Sequence, residues 1–139
     1  MKSGLLDINV LLALAWPKHQ DHGKACAWFA SEASHGWASC TLTQTGFIRL
    51  SSNPAFTARA VAPSDAAKLL AEMTCHSAHR FWSGIAVCEP AIFVKARGHR
   101  QVTDAYLIEL ARKNKGRLIT LDAGAAQHAR RPDEVRVIV

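Results

Sequence analysis

Short apolar segments with the character of buried strands alternate along this chain with segments of helical periodicity. The predicted strands are 4–7, 37–40, 117–121 and 135–139, and the predicted helices are 10–16, 21–33, 43–51, 65–75, 90–96 and 104–114. No Asn-Gly or similar hairpin signal joins the strands. This alternation predicts a parallel sheet with helices on both faces. We therefore expect an α/β fold, a three-layer α/β/α sandwich with a central, mostly parallel sheet.

The capping residues and the weakest stretch complete this prediction. Ser64 and Thr103 are predicted to cap the helices that follow them, because a side-chain oxygen satisfies the free amides of a first turn. Gly116 fits the termination of the second of these helices. Residues 76–90 carry the least secondary-structure signal, and either a short helix or an edge strand around 81–82 is compatible with them.

Size and charge limit the classes of function. With 139 residues, the chain is expected to form a single domain, 1–139. No apolar run is long enough for a membrane span, and no signal peptide is evident, so the cytoplasm is the expected compartment. The four irregularly spaced cysteines predict buried, reduced thiols. The net charge of +6 favours a polyanionic partner, most commonly nucleic acid.

A basic cluster strengthens the case for nucleic acid. Lys95, Arg97 and Arg100 precede Asp104 by a few residues and are the candidate contacts to a nucleic-acid backbone.

Three aspartates occupy positions at which a parallel sheet would bring them together. Asp7 and Asp122 each end a predicted strand, and Asp104 begins a predicted helix. Strand carboxyl ends and helix amino ends face the same crevice in such sheets. At separations of about 5 Å and an effective dielectric of about 20, each carboxylate pair costs about 3 kcal/mol. A divalent cation relieves this repulsion, and ligands that are all oxygen favour Mg²⁺ or Mn²⁺.

Asp104 is the most informative of the three acids. It shares a helix face with the apolar residues Leu107, Ile108 and Ala111, so its side chain is expected to face the sheet. The competing interpretation, for Asp104 and for Asp7, is an acid that only caps its helix.

Two polar residues are expected to support the site. Asn9 lies two positions after Asp7, and its amide is expected to donate a hydrogen bond that fixes the Asp7 carboxylate. Thr120 lies two positions before Asp122.

A hard cation held by a few carboxylates keeps open positions for water and phosphate, which suits phosphodiester hydrolysis without a protein nucleophile. The chain has no glycine-rich phosphate loop and no nucleophile elbow. A phosphatase of the haloacid dehalogenase type would need a second aspartate where Asn9 stands.

Four stretches of the chain form a recognisable set: LLDINVLLAL at 5–14, TLTQTGFIRLSSNP at 41–54, VTDAYL at 102–107 and LITLD at 118–122. Together they resemble PIN domains, and in particular the VapC toxins of bacterial toxin–antitoxin pairs. The resemblance implies a PIN-like sandwich and a Mg²⁺- or Mn²⁺-dependent endoribonuclease. It also implies an antitoxin protein that blocks the site, a possible homodimer, and metal-binding roles for Asp7, Asp104 and Asp122.

One position departs from the family pattern. The family usually has Glu where this chain has Gln44, on the same helix face as Phe47 and Ile48. An amide oxygen can ligate a metal or hold water, so Gln44 is retained as a catalytic candidate, but it carries no charge. Arg49 is a candidate to contact phosphate or brace an acid. The leading hypothesis is an endoribonuclease; the alternative is a catalytically weak or silent PIN-like module that binds RNA or protein.

Overall fold

A five-stranded sheet forms the centre of the computed structural model, which describes residues 1–84 and 87–139. Every neighbouring pair of strands is parallel, and the strand order is β3-β2-β1-β4-β5, so the first strand lies in the middle. The strands are β1 Gly4–Leu6, β2 Trp37–Ser39, β3 His79–Phe81, β4 Arg117–Thr120 and β5 Val135–Val137. The predicted parallel sheet is confirmed.

Helices cover both faces of the sheet. They are α1 Ile8–Ala15, α2 His22–Glu32, α3 Thr41–Ser51, α4 Pro63–Thr74 and α5 Val102–Lys113, with 3₁₀ turns at Ala33–His35, Pro90–Phe93, His99–Gln101, Ala123–His128 and Pro132–Glu134. Successive strand residues point to opposite faces. Leu6 and Ile119 accordingly pack with α1 to α4, whereas Leu5 and Leu118 pack with α5. The three-layer α/β/α sandwich is confirmed.

Both predicted caps are wrong. Helix α4 begins at Pro63, whose fixed φ suits the first helical position, so Ser64 lies inside the first turn. Helix α5 continues directly from the 3₁₀ turn before it, and the Val102 amide donates to the His99 carbonyl. A preceding turn thus occupies the place of the predicted Thr103 cap.

Of the two alternatives for residues 76–90, the edge strand is the one observed, as β3. Residues 85 and 86 of this stretch lie outside the described residues. The predicted helix 90–96 is only a short 3₁₀ turn, Pro90–Phe93. Two of the cysteines predicted to be buried, Cys75 and Cys88, are exposed, and all four are free. In the part of the chain that is described, no helix combines the length and hydrophobicity needed to cross a bilayer.

The end of α5 uses a left-handed residue. Lys115 has φ 58°, its amide donates to the Arg112 carbonyl, and the Gly116 amide donates to the Ala111 carbonyl at 2.8 Å. These two bonds form a Schellman motif. Gly116 therefore takes part in the termination as predicted, although the left-handed conformation belongs to Lys115.

A glycine brings α3 close to α1. A Cβ atom on Gly46 would lie 2.3 Å from Ile8 Cδ1, so a side chain at position 46 would force Ile8 to move. Ile8 follows Asp7 directly, so this close packing lies beside the end of β1.

A buried carboxylate fastens the segment before β5 to α5. Glu134 is 5% exposed and accepts from Arg112 Nε at 2.7 Å, while the Arg130 and Arg131 amides donate to its other oxygen. The Arg112 guanidinium and these hydrogen bonds lower the pKa of Glu134 to about 2.

Candidate active site

The three predicted aspartates line one cleft at the carboxyl ends of β1 and β4. Asp7 follows β1 directly, Asp122 lies two residues beyond β4, and Asp104 is in the first turn of α5. The cleft has a volume of about 450 Å³ and is open to solvent. Its other lining residues are Ile8, Asn9, Leu12, His19, Gln20, Asp21, Leu50, Phe56, Arg100 and Leu121. The parallel topology thus brings together acids that are far apart in sequence.

Asp7 caps α1 and also belongs to the acidic cluster. It is 6% exposed; Oδ1 accepts from the Ile8 amide at 2.7 Å, and Oδ2 accepts from Thr120 Oγ1 at 2.7 Å. Burial raises the pKa of Asp7, and the Asp122 charge adds to that rise, while the hydrogen bonds from Thr120 and Ile8 act in the opposite direction. The capping role is therefore real, but it occupies only one of the two carboxylate oxygens.

Thr120 connects the polar residues around Asp7. Its fully buried hydroxyl donates to Asp7 and accepts from Asn9 Nδ2 at 3.2 Å and from the Asp122 amide at 3.1 Å. Asn9 Oδ1 accepts from the Leu121 amide at 3.2 Å. The expectation that Asn9 donates to Asp7 is wrong, because the Asn9 amide reaches Thr120 and acts on the carboxylate through that hydroxyl.

Asp104 is half-buried and interacts electrostatically with the other two acids. Its helix buries Leu107, Ile108 and Ala111, as the sequence pattern predicts. Burial, together with the charges of Asp7 and Asp122, raises the pKa of Asp104 to about 6. Asp122 is exposed, and its Oδ1 accepts from the Gly124 amide at 2.8 Å. These three carboxylates thus repel one another across the cleft.

The donor set fits a hard divalent cation. All three candidate ligands supply carboxylate oxygens, and a cation offsets the burial and repulsion that raise the pKa of Asp104. Within residues 1–84 and 87–139, however, no three His, Cys, Asp or Glu side chains are placed closely enough to hold a metal ion as they stand. For all three carboxylates to hold one ion, these side chains would therefore have to draw closer together.

The remaining predicted site residues lie in different places. Arg100 lines the acidic cleft, whereas Lys95 Nζ donates to the Ala129 carbonyl beside a separate small cavity, and Arg97 is exposed. Gln44 is half-buried and donates through Nε2 to Ser39 Oγ at 2.9 Å, and Arg49 is exposed on α3. Neither Gln44 nor Arg49 is among the described residues that line the cleft.

A fourth carboxylate, which was not predicted from the sequence, also lines the cleft. Asp21 precedes α2, lines the cleft, and pairs with Lys24 Nζ at 3.5 Å. His19 also lines the cleft, and its Nδ1 accepts from the Asp21 amide at 3.0 Å. Asp21 is the first residue of the predicted helix 21–33, whereas α2 begins at His22, so the sequence pattern did not indicate where the Asp21 side chain points.

The chain is similar in sequence to ribonucleases of known family. No protein-family model matches the chain. Ribonuclease VapC38 of Mycobacterium tuberculosis is 40% identical over 97% of this chain and 99% of its own length. Ribonucleases VapC39 and VapC44 of the same organism are 40% and 42% identical, covering 91% and 88% of this chain and 94% and 87% of theirs.

A solved structure shares the fold. The crystal structure of Mycobacterium tuberculosis VapC20, described as a sarcin-ricin loop cleaving toxin, matches with a TM-score of 0.69 over 93% of this chain and 97% of that one. Its 14% identity supports likeness of fold alone. The matches to VapC38, VapC39 and VapC44 confirm the resemblance drawn from the four sequence stretches.

Proposed function

Because this chain belongs to the VapC family of ribonucleases, we propose that it is an endoribonuclease that hydrolyses RNA phosphodiester bonds, the toxin of a toxin–antitoxin pair. The observation that carries the proposal is the shared cleft of Asp7, Asp104 and Asp122. Three mutually repelling carboxylates are costly to a small domain unless a bound cation offsets them. The basic net charge of +6 supports a polyanionic substrate.

We propose Mg²⁺ or Mn²⁺ as the cofactor, held by Asp7, Asp104 and Asp122. Such an ion, when bound, polarises the phosphate and lowers the pKa of water. Thr120 donates to Asp7 and so favours its ionised form. Asn9 keeps the Thr120 hydroxyl oriented by donating to it. Asp104 must release its proton to act as a ligand, and its pKa of about 6 makes that release easy at neutral pH. Arg100, at the cleft, is suited to contact a backbone phosphate.

Gln44 supports a second candidate function, a PIN-like module that binds RNA or protein without cleaving RNA. Its amide brings no charge, and it donates to Ser39 Oγ, away from the lining of the cleft. If catalysis needs a carboxylate at position 44, this chain would still bind RNA or protein but would not cleave RNA. Under our proposal, the three aspartates suffice, and Gln44 supports the region around the site.

A matched pair of variants tests the proposal. Asp104 and Asp65 are both first-turn acids of a helix, but Asp65 is exposed on α4. We expect cleavage of a panel of RNAs in Mn²⁺ or Mg²⁺ by the wild type and by Asp65→Asn, and no cleavage by Asp104→Asn or in EDTA. Cleavage that persists in EDTA would refute the metal-dependent mechanism. RNA binding without turnover in any divalent metal would favour the binding module.

Three further expectations follow from family membership and remain proposals. An antitoxin protein is expected to block the cleft, and the gene beside this one is the first place to look for it. RNA as the substrate is consistent with the cytoplasm as the compartment. A homodimer is a further possibility, which sedimentation of the purified protein would test.

A further inference from the structure

A second and larger cavity adjoins the acidic cleft. It has a volume of about 820 Å³ and lies between the loop that follows α1 and the loop that follows α3. It shares His19, Gln20 and Phe56 with the cleft of the three aspartates. Its remaining lining residues are Trp16, Pro17, Lys18, Ser51, Thr57, Arg59 and Val61. The two cavities therefore share part of one wall.

Two aromatic side chains form part of the cavity wall. Phe56 is 50% exposed although it is a large apolar residue. Its amide donates to the Asn53 carbonyl at 2.9 Å, which holds it in a hydrogen-bonded turn. Trp16 forms another part of the wall, and its Nε1 donates to the buried Ser51 Oγ at 3.0 Å, so this ring is fixed in place. An exposed aromatic side chain in a cavity wall is suited to contact a planar ring.

Cations stand at the same cavity. Lys18 and Arg59 are both exposed lining residues. Neither forms an ion pair with any residue in the described ranges, so both are free to meet an anion. Aromatic surface together with unpaired cations is the combination by which proteins bind single-stranded nucleic acid.

We propose that this cavity binds one nucleobase of the RNA substrate, next to the phosphate that lies at the aspartates. The base stacks on Phe56, and Lys18 and Arg59 contact the adjoining backbone phosphates. The inference rests on the proposed ribonuclease function. Under it, the part of the cavity around Phe56 recognises either the RNA sequence or an unstacked base in a loop. Continuity with the cleft and the free cations favour RNA over an apolar protein segment.

The test combines a protein variant with a change in the RNA. Phe56→Ala is compared with Phe81→Ala, since Phe81 is 51% exposed on the edge strand β3 and lines neither cavity. RNAs that lack a single base at each position near the cut are assayed with each protein. We expect Phe56→Ala to lower kcat/KM on intact RNA roughly 5- to 150-fold, as the loss of one stacked base implies. Phe81→Ala should match the wild type.

Base removal identifies the occupant. One abasic position should lower wild-type kcat/KM by a similar factor and have no further effect on Phe56→Ala, because the same contact is already lost. Fluorescence anisotropy with the intact RNA in EDTA measures binding separately from cleavage. If the wild type does not cleave but Phe56→Ala weakens RNA binding, the inference holds and the proposed ribonuclease function fails.

Other outcomes overturn the inference. If the wild type cleaves and Phe56→Ala cleaves and binds equally well, the cavity does not hold a base. If Phe56→Ala cleaves normally but resists inhibition by the protein encoded beside it, the cavity is a protein-binding surface. If the wild type neither binds nor cleaves any RNA, the inference and the proposed function are both wrong.

Discussion

Replacing Asp104 by asparagine should stabilise the metal-free protein and abolish cleavage at the same time. The pKa of Asp104 rises from 3.8 to about 6, so the ionised carboxylate is disfavoured in the folded state. One pKa unit corresponds to about 1.4 kcal/mol, which sets an upper limit of about 3 kcal/mol at neutral pH. Because the side chain is only half-buried and solvent screens its charge, we expect a gain of about 1–2 kcal/mol.

The sign of this effect depends on pH. Between pH 3.8 and about 6, the folded protein holds a proton that the unfolded chain has released, so the free energy of unfolding falls as pH rises through this window. Asp104→Asn has no carboxyl group to titrate there, so its advantage over the wild type should grow across the same window and stay constant above it. A carboxylate that only capped α5 would give the opposite sign, because its loss would cost about 0.3–1 kcal/mol.

Urea denaturation in EDTA at pH 4, 5, 6 and 7.5 measures this directly, with Asp65→Asn as the control for a first-turn acid outside the cleft. Added Mn²⁺ should then stabilise the wild type by mass action and leave Asp104→Asn nearly unchanged. An Asp104→Asn protein that is less stable than the wild type at pH 7.5 would refute the view that the three acids repel one another.

Three further perturbations test the surroundings of the site. Thr120→Val keeps the shape of the side chain but removes three hydrogen bonds, so the free energy of unfolding measured with urea should fall by about 2–4 kcal/mol. Calorimetry should also show weaker Mn²⁺ binding. Thr120→Ser keeps the hydroxyl, so both effects should be smaller. Because the pKa of Glu134 is lowered, Glu134→Gln should reduce the free energy of unfolding by up to about 3 kcal/mol above pH 4.5. The difference from the wild type should vanish as pH falls towards 2. A difference that persists at that pH would show that packing is responsible. If position 44 contributes to the metal site, Gln44→Glu should raise the cleavage rate at limiting Mn²⁺ by about tenfold, which corresponds to about 1.4 kcal/mol. An unchanged rate would show that the role of Gln44 is its hydrogen bond to Ser39.

The convergence of the acids was predictable because it depends on topology and not on detail. Once β1 and β4 are buried parallel strands, the residues that follow them must lie on the same edge of the sheet. Asp104 was predictable for a similar reason, because its apolar helix face decides which way it points. Which donor satisfies which acceptor was not predictable. Asn9 reaches Thr120 instead of Asp7, a difference of one hydrogen bond that periodicity does not encode.

Local signals failed where tertiary contacts or neighbouring turns took over. The edge strand β3 leaves two of its three residues exposed, so it has no apolar run to identify it. The predicted caps failed because Pro63 and a 3₁₀ turn start their helices earlier. Asp21 and Phe56 lie in loops, where side-chain direction follows from packing against distant segments and has no periodic trace in the sequence.

The close contact between Gly46 and Ile8 sets the spacing between two parts of the surface. On one side of this contact stands the carboxylate of Asp7, and the helix on the other side leads into the loop that carries Phe56. A methyl group at position 46 would force the Ile8 side chain, which lines the acidic cleft, out of its present position, or else move α3 away from α1. If a base held at Phe56 determines how the RNA lies in the cleft, we expect Gly46→Ala to change the position of the cut along the RNA as well as its rate.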